Sequence, residues 1–220
     1  MSWRGIIQSA AETALGLLAP VRCPLCRRKL GRRAACPECG IPEPSGVART
    51  LAADGPGPYL ILAGGAFTGP HREIILALKY HLDPGALRLL SAQTLLALPD
   101  GLEWQALVPV PAHPTRIRER GGEPVRLLAR AISRATGVPV RPLLRRVRYT
   151  DPLTGRGAVA RRRLLRGALE SRPARGSLLL VDDVVTTGAT FLTCRRLLLE
   201  AGARSVDLLV GARTPARPSL

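Results

Sequence analysis

LLLVDDVVTTGAT, residues 178–190, runs from an apolar stretch through two adjacent carboxylates into a Thr-Thr-Gly turn. Leu178, Leu179, Leu180 and Val181 show no amphipathic alternation, the pattern of a strand buried on both faces of a parallel sheet. Thr186, Thr187 and Gly188 read as a small-residue loop. A helical pattern follows from about Ala189 to Ala201 and is stopped by Gly202. Such a loop aims backbone N–H groups at a phosphate, helped by roughly half a positive charge at the helix N-terminus. The hydroxyls of Thr186, Thr187 and Thr190 add donors, and Asp182 and Asp183 suit the neighbouring hydroxyls of a ribose. The expected ligand is a sugar phosphate. An ordinary βα turn with an exposed acid pair is the bland alternative. A Walker B strand is a rival for the acids, but neither lysine of the chain, Lys29 or Lys79, follows a glycine, so no P-loop accompanies it.

A chain of 220 residues with 46% hydrophobic content suffices for one domain of ordinary size and a small appendage. Aromatic residues are only 3%, which argues against a base-stacking platform as the main binding mode. The formal charge of +17 comes almost wholly from arginine. It favours polyanions, from phosphorylated sugars to nucleic-acid backbone, although codon bias of a GC-rich genome would produce the same excess. No run of 18 apolar residues is present, so no transmembrane helix is expected. In residues 1–20, Trp3, Ile7, Ala10, Ala14, Leu17 and Leu18 follow a helical stripe interrupted by Gln8 and Glu12. We read an amphipathic helix docking on the next module rather than a signal peptide, and a cytoplasmic location.

Cys23-Pro-Leu-Cys26 and Cys36-Pro-Glu-Cys39-Gly40 form two C-P-x-C knuckles. Paired Cys-x2-Cys steps let four thiolates converge on a tetrahedral ion, so Cys23, Cys26, Cys36 and Cys39 are candidate ligands of a structural zinc. Arg27, Arg28, Lys29, Arg32 and Arg33 between them would offset the thiolate charge. Two disulfides and an iron–sulfur site are the alternatives; a cytoplasmic chain disfavours the former. Cys194 stands apart, on the helix after the turn, and reads as a small buried hydrophobe. Gly155 to Ala160 matches G-x-G-x-x-A but follows no strand, so a flexible loop is the better reading.

Residues 178–190 closely resemble the phosphoribosyl-pyrophosphate (PRPP) motif of type I phosphoribosyltransferases: a hydrophobic strand, two acids and a T-[TS]-G-x-[TS] loop. The resemblance implies that Asp182 and Asp183 hold the ribose hydroxyls while Thr186, Thr187, Gly188, Ala189 and Thr190 cradle the 5′-phosphate. Upstream, after a strand from Tyr59 to Phe67, AFTGPHREIILALKYHLDP (residues 66–84) places a helix around His71 to Tyr80. It resembles the "Y…I..LKY.G" opening of the ComF family, with Lys79 at the family's lysine. ALVPVPAHPTRIRERGGEPVRLLARAISRATGVPV (residues 106–140) gives a strand, a basic loop and a helix from about Glu123. It resembles that family's "VPVPLHP.R…RGFNQ…LA" block, which implies that Lys79, Arg116 and Arg120 lie on the pyrophosphate side. The chain departs from RGFNQ at residues 120–124. It departs again within 146–169, where Thr150, Arg161, Gly167 and Ala168 fit a mobile hood but its Gln and Asn are missing.

The implied fold is α/β, a type I phosphoribosyltransferase-like parallel sheet flanked by helices, with a small N-terminal zinc-ribbon-like module. The expected organisation is an amphipathic helix at 1–20, the four-cysteine module at 21–44, a linker at 45–58, the main domain at 59–213 and a disordered tail at 214–220. The implied function is PRPP binding with magnesium and phosphoribosyl transfer to a nitrogen acceptor. Asp182, Asp183, Arg120 and Arg161 are the catalytic candidates, in a protein associated with competence and DNA uptake. The alternative is a non-catalytic PRPP- or nucleotide-responsive adaptor whose partners are single-stranded DNA or DNA-uptake proteins.

Overall fold

The computed structural model describes residues 21–30, 36–39, 48–52, 57–101, 103–148 and 167–215. The helix expected at 1–20, Arg32, Arg33, Thr150, Arg161, the loop at 155–160 and residues 216–220 of the expected tail lie outside the described residues.

The element order is β1 (Ala48–Ala52), β2 (Tyr59–Ala63), α1 (Gly69–His81), α2 (Pro84–Leu96), β3 (Ala106–Pro109), α3 (Pro114–Arg120) and α4 (Pro124–Thr136). It continues with β4 (Leu144–Arg146), β5 (Leu169–Ser171), β6 (Ser177–Val185), α5 (Ala189–Glu200) and β7 (Ser205–Arg213). Five strands form a sheet in the order β1-β2-β7-β6-β3, parallel except for β1, which pairs antiparallel with β2. β4 and β5 make a separate antiparallel pair.

β6 is held on both sides, with Leu178–Val181 in register with β3 and with β7. Its side chains alternate between two cores. Leu179 and Val181 pack with Ile74, Ile75, Leu89 and Leu128 from α1, α2 and α4. Leu178 and Leu180 pack with Phe191, Cys194 and Leu198 of α5 and with Leu144 and Leu169 of the β4–β5 pair. Removal of each such side chain from water is worth about 1.5–3 kcal/mol, which is why this run has no polar face. Cys194 is fully buried, as read from the sequence.

Several segments differ from the expectation. The stretch read as a linker contains β1, which completes the sheet edge through its antiparallel ladder with β2. The strand begun at Tyr59 ends at Ala63, before Gly64 and Gly65. The basic loop at 111–122 contains the short helix α3; His113 Nδ1 accepts from Thr115 N at 3.2 Å, Pro114 opens the helix and Gly121 at φ 71° ends it.

Two anchors fix the helices. Arg195 of α5 is buried, donates to the carbonyls of Val206 (3.2 Å) and Gly57 (3.0 Å), and lies 4.7 Å over the Tyr59 ring. At the α1–α2 corner, Leu82 ends α1 in the left-handed region and Asp83 Oδ1 caps α2 by accepting from Ala86 N at 2.9 Å. Two residues on, Gly85 lies against the backbone carbonyl of Arg22, beside the first cysteine knuckle, and Cys23, Leu30 and Cys36 belong to the α1–α2–α4 core. Gly85→Ala would drive a methyl into that carbonyl. It is expected to cost about 1–3 kcal/mol, read as a lower urea midpoint at unchanged m-value.

Candidate functional site

The carboxyl end of β6 delivers two acids to opposite faces, because successive strand residues alternate. Asp183 follows Val181 toward α1, where Lys79 Nζ stands 3.2 Å from its Oδ2. Asp182 follows Leu180 toward α5 and β4. Each carboxylate also folds back on the chain: Asp183 N donates to Asp182 Oδ1 and Val184 N to Asp183 Oδ1, both at 2.8 Å. Burial raises the pKa of Asp182 well above the ordinary carboxylate range, and the charge of Asp183 raises it further. Lys79 and the Asp183 amide oppose this without cancelling it.

Beyond the acids, the turn enters α5 through Gly188 at φ 70°, ψ 0°, a conformation that favours glycine. Leu192 N donates back to Gly188 O at 2.8 Å. A concavity of about 40 Å³ lies over this turn, bounded by Asp182, Thr186, Thr187, Gly188, Ala189 and Thr190. Behind the acids, Gly211 of β7 packs on the Asp183 carbonyl, 2.9 Å from where a Cβ would sit. His71 Nε2 lies 3.0 Å from Gly211 O and buttresses the same spot.

The concavity borders a cleft of about 490 Å³, within the range of about 300–1,000 Å³ typical of small-molecule sites. Asp182, Asp183, Thr186, Thr190, Lys79, Arg116 and Arg120, all singled out from the sequence, line it. Thr187, Gly188 and Ala189 line the adjoining concavity instead. α3 brings Arg116 and Arg120 to the rim, with Arg120 stacked 5.5 Å from the Tyr80 ring of α1. Arg72, Arg126 and Arg146 also line the cleft, and the sequence reading assigned them no role. A signal for Arg146 existed: Leu144-Arg145-Arg146, read as a strand, puts residues 144 and 146 on one face.

The four cysteines cluster at a distance in sequence from this cleft. Their Sγ atoms all lie within 4.8 Å of one another. Cys23 and Cys39 are 4.0 Å apart, Cys26 and Cys36 3.5 Å, and Cys39 N approaches Cys36 Sγ at 3.5 Å. Hydrogen bonding to Cys26 and burial push the Cys39 thiol up to about 12. Among the described residues, no helix is long and apolar enough to cross a membrane.

No family model matches the chain. The DNA utilization protein YhgH of Salmonella typhi is 30% identical over 210 residues, covering 87% of this chain and 90% of that protein. Competence protein F of Haemophilus influenzae is 30% identical over 110 residues, 47% of this chain and 48% of its own length. Among solved structures, the glutamine PRPP amidotransferase from B. subtilis aligns with a TM-score of 0.41 and 22% identity, over 77% of this chain and 37% of that one.

The electrostatics of Asp182 give a pH signature. A carboxyl whose folded-state pKa is raised stabilises the fold while protonated, and that contribution fades as pH rises from the ordinary carboxylate range through the raised value. Asp182→Asn is therefore expected to be more stable than the native chain at neutral pH and to lose that advantage near pH 4, as read from urea midpoints across the range.

Proposed function

This chain belongs to the ComF family, that of competence protein F and the DNA utilization protein YhgH, and on that premise we infer that its cleft binds PRPP and supports phosphoribosyl transfer. One observation carries the reading: the acid pair and the cations Lys79, Arg116 and Arg120 line one cleft, and the Thr-Thr-Gly turn lines the concavity that adjoins it at Asp182, Thr186 and Thr190.

In this reading the amides of residues 186–190 and the dipole of α5 grip the 5′-phosphate. Asp182 and Asp183 orient the ribose hydroxyls and offset positive charge as it develops at C1 and the ring oxygen. A nitrogen nucleophile attacks C1, the C1–O bond breaks, and the electron pair leaves with pyrophosphate. Arg116 and Arg120 steady that leaving group, and Lys79 joins it to the acid pair through Asp183. Arg161 remains a catalytic candidate by resemblance alone. Bound magnesium would screen pyrophosphate charge, and the carboxylate oxygens of Asp182 and Asp183 are the hard donor type it takes. Positioning and electrostatics account for most of such catalysis.

The cysteine cluster fits a structural zinc. With a Zn–S distance of about 2.3 Å, the edge of an S4 tetrahedron is about 3.8 Å. The Sγ separations of 3.5 and 4.0 Å bracket that value. Bound there, the ion would tie together a segment too short to fold alone.

A second reading is favoured by the formal charge of +17 and by the names of the relatives, a DNA utilization protein and a competence protein. In it the protein is a non-catalytic adaptor responsive to PRPP or a nucleotide, with single-stranded DNA or DNA-uptake proteins as partners. A pyrophosphate-release screen over nucleobases separates the two, because the adaptor binds without turnover.

Calorimetry with PRPP and magnesium is expected to show binding together with a rise in Tm. Asp183→Asn should weaken that affinity by about tenfold or more, roughly 1.4 kcal/mol. Absence of both heat and thermal protection in the native chain would overturn the site. Separately, chelation should release zinc, detectable with a colorimetric chelator, and lower Tm; Cys26→Ser should do the same.

A further inference from the structure

β4 turns one arginine outward and the next inward. Arg145 is exposed and pairs with Glu170 of β5, Nη2 to Oε2 at 2.7 Å. Arg146 shares its face with Leu144, and its partner across the ladder is Leu169; these leucines are 5% and 4% exposed. A guanidinium on such a face gives up hydration, which a purely structural hairpin position would not require. Burial lowers its pKa, and the charge of Arg116 lowers it further. Arg116 reaches the same cleft from α3, so two cations repel one another at one cavity that also holds Asp182. Repulsion of that kind weakens the free protein and is relieved when an anion sits between the two forks.

The position of Arg146 is rigid. Val147 N donates to Ala168 O at 2.9 Å and Arg172 N to Leu143 O at 2.8 Å. Leu144 and Leu169 then lock the pair onto Phe191 and Cys194 of α5, the helix that opens at the Thr-Thr-Gly turn.

We propose that Arg146 and Arg116 form a guanidinium clamp for an anionic group of the substrate, with Arg146 as its half-buried, fixed jaw. This rests on the phosphoribosyl reading of the cleft. The anion is either the pyrophosphoryl group of the activated sugar or a carboxylate on the acceptor; both accept paired N–H donors from a planar fork. Lysine at position 146 would keep the charge and lose the fork.

The test is calorimetry on the full chain with ribose 5-phosphate, inorganic pyrophosphate, PRPP with magnesium, and nicotinate as a heteroaromatic carboxylate. Native protein, Arg146→Gln and Arg146→Lys are compared. Arg146→Gln is expected to weaken pyrophosphate and PRPP by about tenfold or more, leave ribose 5-phosphate within about twofold, and leave Tm unchanged or raised. Arg146→Lys should recover only part of the loss. Loss of nicotinate binding with pyrophosphate spared would support the clamp and assign it to the acceptor. Unchanged affinity for pyrophosphate, PRPP and nicotinate, or a fall in Tm matched by an equal loss of ribose 5-phosphate binding, would overturn it. A native chain that ignores ribose 5-phosphate and PRPP, yet loses pyrophosphate in Arg146→Gln, would overturn the phosphoribosyl reading and keep the clamp. Binding to none of the probes would overturn both.

Discussion

The pairing of β6 between β3 and β7 governs everything else in the molecule. Leu178, Leu179, Leu180 and Val181 are nearly inaccessible to water, and each is in register with a residue on both sides. Because the strand is buried on two faces, its side chains fasten α1, α2 and α4 to one side and α5 with the β4–β5 pair to the other. The polar residues that follow are therefore carried to the edge of the sheet from a rigid base. β3, α4 and α5, which line the cleft, contact that strand directly.

Much of this was legible because burial and turn chemistry leave strong marks. An apolar run without alternation, followed by paired acids and a glycine-containing turn, has few structural solutions in an α/β chain. The two Cys-Pro-x-Cys steps were equally readable, since their spacing brings thiols together whatever surrounds them. Lys79, Arg116 and Arg120 were marked by resemblance, and the folded chain puts all of them on one cleft.

What escaped the sequence depends on distant partners. The strand at Ala48–Ala52 lies in a Pro- and Gly-rich region and exists through its ladder with β2. The helix α3 is too short for a periodic signal and is defined by a proline, a histidine cap and a terminal glycine. Arg146 looked like one more arginine in a basic stretch; its strand parity with Leu144 was the one local hint, and its pairing with Leu169 shows the face it takes. The contact between Gly85 and the carbonyl of Arg22 joins residues far apart in sequence and has no local signature.

The hold that Arg195 exerts on α5 reaches beyond packing. Its guanidinium ties the middle of that helix to carbonyls in β7 and just ahead of β2, and covers the Tyr59 ring. The helix is thereby denied both rolling and sliding against the sheet, and the amides at its first turn keep their aim in the absence of any guest. On the proposed reading, an anion arriving there would meet a receptor already set, with little ordering entropy charged against the encounter.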